Sequence, residues 1–157
     1  DPRVTVGAAL ARGPYDRRDA GGIPADRDTG DFPQTIAGMD VRYSFGHLQV
    51  FAEAYWNRFK TPLTGPLDLW SWYVEGKYTF LPGLFGAARF GQLVYGEVDD
   101  AGGVSRQWGR NLNRLEFGGG YFFTQNFFAK GTVQLNYTSG GREPNDHMFM
   151  LQLGLGF

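Results

Sequence analysis

The chain has 157 residues, room for one domain and one core, so residues 1–157 are read as a single unit. With no Cys it carries no disulfide framework and no thiolate metal site, and its formal net charge of -1, with acids and bases intermixed, provides no basic face for nucleic acid. No run approaches the ~20 apolar residues of a membrane-spanning helix, which excludes helical spanning.

Period-two alternation of apolar and polar residues recurs along the whole chain, and it predicts eight strands. They fall at 3 to 12, 34 to 45, 48 to 59, 70 to 81, 84 to 98, 112 to 123, 127 to 138 and 147 to 157. Each matches or nearly matches the ~9 to 11 residues that a tilted strand needs to cross a bilayer. The connections alternate in length. Short turns at Gly46-His47, Pro82-Gly83 and Thr124-Gln125-Asn126 contrast with long polar loops at about Gly13 to Pro33, Lys60 to Leu69, Asp99 to Asn111 and Ser139 to Asp146. Short periplasmic turns opposite longer outer loops are the habit of outer-membrane barrels, and they orient the chain with both ends on the turn side. Asp1-Pro2-Arg3 runs directly into Val4-Thr5-Val6 with no signal peptide between, so a mature form or a fragment is expected.

Splitting each strand by parity separates two faces. One carries Ala37, Met39, Val41, Tyr43 and Phe45 on the second strand, then Leu48, Val50, Ala52, Ala54 and Trp56 on the third. It continues through Trp70, Trp72, Val74, Gly76, Tyr78 and Phe80, then Phe127, Ala129, Gly131, Val133, Leu135 and Tyr137, and ends with Phe149, Leu151, Leu153, Leu155 and Phe157. This is the expected lipid face. A lipid-facing barrel needs only every second residue to be apolar, which is why the overall mean hydropathy is that of a soluble protein.

Aromatics on that face collect at two heights, as amphipathic rings do at the two interfaces of a membrane. Phe45, Tyr78, Phe80, Phe123, Phe127 and Phe157 are expected to ring the periplasmic side, and Trp56, Trp70, Trp72 and Tyr137 the outer one. A soluble eight-stranded barrel reverses the polarity and keeps its apolar residues inside. The fifth strand fits least well, because its lipid side of Ala88, Phe90, Gln92 and Val94 includes a Gln and suggests a bulge.

The opposite parity places Asp40, Glu53, Glu75, Glu97 and Glu116 on the inner face with Arg42, Lys77, Arg89, Arg114 and Lys130. Such a balance suits either ion pairs filling a narrow barrel or the charged wall of a watery channel. Inward Phe51, Tyr55, Tyr73, Tyr95 and Phe122 would plug a closed eight-stranded barrel and merely line a wider one.

The stretch from Arg114-Leu115-Glu116-Phe117-Gly118-Gly119-Gly120-Tyr121 through Asn126, Lys130 and Gln134 to Leu151-Gln152-Leu153-Gly154-Leu155-Gly156-Phe157 resembles the C-terminal hairpin and final strand of bacterial porins. Gly38 to His47 resembles their strand, turn, strand unit. The resemblance covers most of the chain, though its elements are generic to outer-membrane barrels. It implies an all-β, transmembrane, antiparallel up-and-down β-barrel in the bacterial outer membrane, with lipid and the outer-membrane insertion machinery as partners. It also implies passive passage of small hydrophilic solutes rather than catalysis, with no cofactor. Whether the chain is a complete barrel or the C-terminal half of a larger one stays open. The alternative function is a closed eight-stranded barrel acting structurally or adhesively through its loops.

Three patterns invite a chemical reading. His147 beside Asp146, with Ser139 nearby, would form the outer-rim base and nucleophile of a lipid-modifying enzyme, but no nucleophile motif accompanies them and a plain strand start is favoured. Asp26-Arg27-Asp28-Thr29-Gly30-Asp31 clusters carboxylates as calcium loops do, yet Arg27 intrudes and Ala37 stands where a bidentate Glu would be needed, so a solvated loop is expected. Gly118-Gly119-Gly120 precedes no helix, so it serves strand curvature or close packing rather than phosphate.

Overall fold

The computed structural model describes residues 1–15, 23, 25–62, 64–99, 103–139 and 145–156. The alternating segments become β1 (Arg3–Pro14), β2 (Pro33–Phe45), β3 (Leu48–Phe59), β4 (Leu67–Leu81) and β5 (Leu84–Tyr95). A short pair follows, β6 (Glu97–Asp99) and β7 (Ser105–Gln107), and then β8 (Leu112–Thr124), β9 (Phe127–Thr138) and β10 (Met148–Leu155). Eight of them form one antiparallel up-and-down sheet in the order β1-β2-β3-β4-β5-β8-β9-β10, while β6 and β7 pair only with each other. The sheet is not closed: β1 and β10 are its two edges.

The register follows the parity expected from the sequence. Met39 stands opposite both Ala8 and Ala54, Ala54 opposite Trp72, Val74 opposite Phe90, and Leu135 opposite Leu115. Apolar residues therefore share one face through all eight strands. The fifth strand holds its register along the whole of its pairing with β8, so the expected bulge is absent there. Its Gln finds a partner instead: Gln92 Nε2 donates to Asn113 Oδ1 at 2.6 Å on the same face of the neighbouring strand. Two polar groups on an apolar surface are satisfied by each other.

Two bulges do occur, both next to short turns. The register skips one residue between Thr79 and Leu81 and another between Phe122 and Thr124. The skipped residues are Phe80 and Phe123, members of the expected turn-side girdle, and the bulges set both rings on the apolar face beside Tyr78 (5.2 Å between centroids) and Phe127 (4.9 Å, stacked). In the turns themselves, Gly46 and Gly83 hold φ of 54° and 87°, the left-handed region that a side chain resists.

The fifth strand ends earlier than the alternation suggests. Gly96 N–H donates to the Asp68 carbonyl at 2.8 Å, after which the chain leaves the sheet and folds into the β6–β7 hairpin. The main sheet has no conventional core. Among the described residues Phe32, just after a 3-10 turn at Thr29–Asp31, is the one buried apolar side chain, at 5 % exposure.

Candidate functional site

The polar face of the sheet is where chemistry concentrates. Cross-strand register arranges it in rows, because directly opposed residues on neighbouring strands point the same way. The central row runs Thr5, Arg42, Phe51, Glu75, Arg89, Glu116, Gln134, Met148. The row on its loop side runs Gly7, Asp40, Glu53, Tyr73, Gly91, Arg114, Asn136. Nine of the ten charges expected on this face lie on it.

The exception is Glu97. It lies in the β6–β7 hairpin beyond the sheet, where Ser105 Oγ donates to its Oε2 at 3.2 Å. The alternation at positions 84 to 98 ran through two elements, and the break at Gly96 is set by a backbone contact to β4 that no local pattern reveals.

Arg89 is the hub of the central row. Its Nε donates to Glu75 Oε2 at 2.9 Å, its Nη1 stands 3.9 Å from Glu116 Oε2, and its guanidinium lies 4.1 Å above the Tyr73 ring. Arg114 extends the ladder, with Nε 3.9 Å from Glu116 Oε1 and donating to Asn136 Oδ1 at 3.0 Å. Gln134 Nε2 donates to the same Asn136 oxygen at 3.2 Å, and these two amides are the buried polar side chains of the sheet. Alternating charges on adjacent strands make the ladder self-compensating.

Four rings on the polar face stand beside glycines. A Cβ on Gly38 would stand 2.6 Å from the Tyr55 ring, one on Gly109 2.4 Å from Tyr95, one on Gly120 2.7 Å from Phe85 and one on Gly154 2.0 Å from Phe128. Each glycine leaves the space that a neighbouring ring occupies; for Gly38, Gly120 and Gly154, which lie in strands of the sheet, this is the aromatic rescue of strand glycines. Gly118 and Gly119, by contrast, let neighbouring backbone approach: added Cβ atoms would meet the Gly131 and Phe85 carbonyls at 2.9 and 3.1 Å. Arg42 lies 5.0 Å above Phe51, and Lys77 Nζ 4.3 Å above Phe85.

On the loop side an aromatic string missed by the sequence reading links the strand ends. Tyr15 meets Phe59 (5.2 Å), Phe59 meets Trp108 (6.3 Å), and Trp108 meets Tyr95 (4.7 Å). Trp108 is tied by its Nε1–H to the Asp68 carbonyl at 2.9 Å. The alternation of Phe59 and Tyr95 signals their face, but Trp108 sits in an irregular segment with no period to read.

The apolar face is strongly exposed. Val4, Val6 and Leu10 on β1 and Phe149, Leu151, Leu153 and Leu155 on β10 are 63–77 % accessible, and Met39, Val74, Phe90, Phe117 and Val133 are exposed between them. At its loop end Trp56 packs 6.4 Å from Trp70, Trp72 5.7 Å from Phe90, and Tyr137 5.6 Å from His147. At its turn end Phe45, Tyr78, Phe80, Phe123 and Phe127 have been placed as expected by parity, whereas Phe157 lies outside the described residues.

The three chemical patterns do not assemble. Ser139 Oγ donates to the Asn111 carbonyl on the β8 side of β9, while His147 Nδ1 accepts the Asn136 N–H on the β10 side, so the hydroxyl and the imidazole serve different neighbours. Asp31 turns its carboxylate back to the Asp28 N–H at 3.1 Å within the 3-10 turn, and no group of three or more metal-ligating side chains occurs among the described residues. Comparison with models of protein families, with curated proteins and with solved structures finds no match to this chain.

Proposed function

We propose that this chain forms the wall of a porin-like β-barrel in the bacterial outer membrane, its apolar face against lipid and its polar face along a water-filled path for small hydrophilic solutes. The observation that carries the reading is the inside-out sheet. Exposed apolar side chains run across all eight strands on one face, broken by the Gln92–Asn113 pair and by Arg12, Arg58 and Asp68 at the loop end, while the charged ladder lies on the other. A soluble protein rarely exposes a contiguous apolar patch beyond a few hundred Å². Lipid removes that penalty, and the six inner strands pair with a neighbour on both sides, leaving the edges of β1 and β10 to be paired in the proposed assembly.

Two further features favour a lined path over a filled barrel. On the polar face the rings of Tyr55, Tyr95, Phe85 and Phe128 each occupy the space over a glycine. The sheet also leaves β1 and β10 as edges instead of joining them into the narrow ring that side chains would fill. In the proposed assembly the loops lie outside the cell and the turns in the periplasm. The alternating final strand is read by the insertion machinery, and the aromatic string at Trp108 narrows the outer mouth.

The test is electrical. Refolded into planar lipid bilayers, the chain is expected to give discrete, ohmic conductance steps. A chain that integrates into lipid vesicles with full β-sheet circular dichroism yet never conducts would refute the solute path and leave the closed, loop-presenting barrel.

A further inference from the structure

Summing charges along the polar face gives a polarity that the overall balance hides. In the central ladder Arg89 and Arg114 neutralise Glu75 and Glu116, and Arg42 lies over the Phe51 ring. In the next two rows toward the short turns the register places Arg3, Ser44, Gln49, Lys77, Ala87, Gly118 and Thr132, then Thr79, Phe85, Gly120, Lys130 and Gln152. Every charge in those rows is positive. Lys77 is held by the Phe85 ring rather than by a carboxylate, and Lys130 is exposed with no carboxylate at ion-pair distance among the described residues. Asp40 and Glu53 lie two rows away, about 13 Å along the strands and beyond a screening length of about 8 Å at physiological salt.

Where the basic rows meet the ladder there is a cavity of about 200 Å³, bounded by Lys77, Lys130 and Arg89 and by Glu75 and Glu116, with Gly118 in its lining. Both carboxylates are turned to Arg89, at 2.9 and 3.9 Å. With three cations and two carboxylates in its lining the cavity carries a net positive charge, the two ammonium groups are its cations outside the Arg89 ion pairs, and its volume suits a small inorganic oxyanion.

From this we infer that the turn-side half of the polar face is selective for small anions, with Lys77 and Lys130 forming the site that holds them in transit. The inference rests on the solute path proposed above and adds the class of solute. In such a stretch, unpaired cations raise the local concentration of anions and lower that of cations.

The experiment measures the reversal potential of the full chain in a planar bilayer under a KCl gradient, for the parent and for K77E/K130E. The parent is expected to reverse at a potential of the sign set by chloride, and the double variant to move through zero toward potassium. A potassium-selective parent, or a chloride-selective parent unmoved by the double variant, would overturn the inference. K77Q supplies a milder variant if the double one does not refold, with a smaller shift in the same direction expected. Absence of conductance would refute the path itself. Anion binding is then read in detergent by phosphorus NMR of inorganic phosphate. Broadening with the parent that K77E/K130E abolishes supports the site, and no broadening with the parent overturns it.

Discussion

An arginine placed at the middle of the apolar face tests the membrane reading most directly. Val74 lies on β4 halfway between Trp70 and Tyr78, which the membrane reading assigns to the two aromatic levels. Eight residues of strand span about 26 Å, and a tilt of about 40° reduces this to about 20 Å of depth, so Val74 stands about 10 Å inside either level. Val74→Arg therefore puts a guanidinium at the midplane, where a lipid-facing charge costs about 2–4 kcal/mol.

Ala37 occupies the row of Trp56 and Trp70, so Ala37→Arg sits at headgroup depth and should cost about 0–1 kcal/mol. Gln49→Arg on the polar face should stay within about 0.5 kcal/mol. The assay is reversible urea unfolding from phosphatidylcholine vesicles, followed by tryptophan fluorescence. Equal costs for Val74→Arg and Gln49→Arg, or a Val74→Arg cost below about 0.5 kcal/mol, would show that the face meets water and would sink the proposal.

The same assay checks three further expectations. Gln92→Leu leaves Asn113 unpaired on the apolar face and should cost about 1–3 kcal/mol, while Gln92→Leu with Asn113→Leu should restore most of it, since removing both partners removes the unmet hydrogen bond. Gly38→Ala drives a methyl into the Tyr55 ring and should destabilise by about 1–3 kcal/mol; adding Tyr55→Ala should recover part of the loss, and no recovery would mean that the ring is not seated there. Arg89→Met removes the hub between Glu75 and Glu116 in a partly solvated ladder. A double-mutant cycle with Glu75→Gln should give a coupling of about 0.5–1 kcal/mol that shrinks with added salt.

The strands were legible because period two is a local property. From Leu48 to Trp56 or Trp70 to Phe80, each residue declares its face by parity alone, and seven short-range breaks at Gly, Pro, Asn and Asp marked the connections. That was enough to put nine of the ten charges on one face of the sheet and to separate the apolar from the polar surface. Phe80 and Phe123 were assigned to the apolar face the same way, although nothing in their neighbourhood announced that each sits at a bulge.

What remained hidden depends on which residue stands across from which. The pairing of Gln92 with Asn113 needs the register of β5 on β8, and the departure of Glu97 from the sheet needs the contact between Gly96 and Asp68. The rings of Tyr55 and Phe128 find their places because a glycine faces each of them on another strand, 17 and 26 residues away. Likewise, the isolation of Lys77 and Lys130 from the acids emerges only when the rows are assembled. Sequence alone determined the alternation and therefore the two faces, since side-chain direction along a strand is fixed by backbone geometry. Tertiary structure decided the open edges, the charge ladder and the basic rows, because each is a relation between residues distant in the chain and brought level by cross-strand hydrogen bonds.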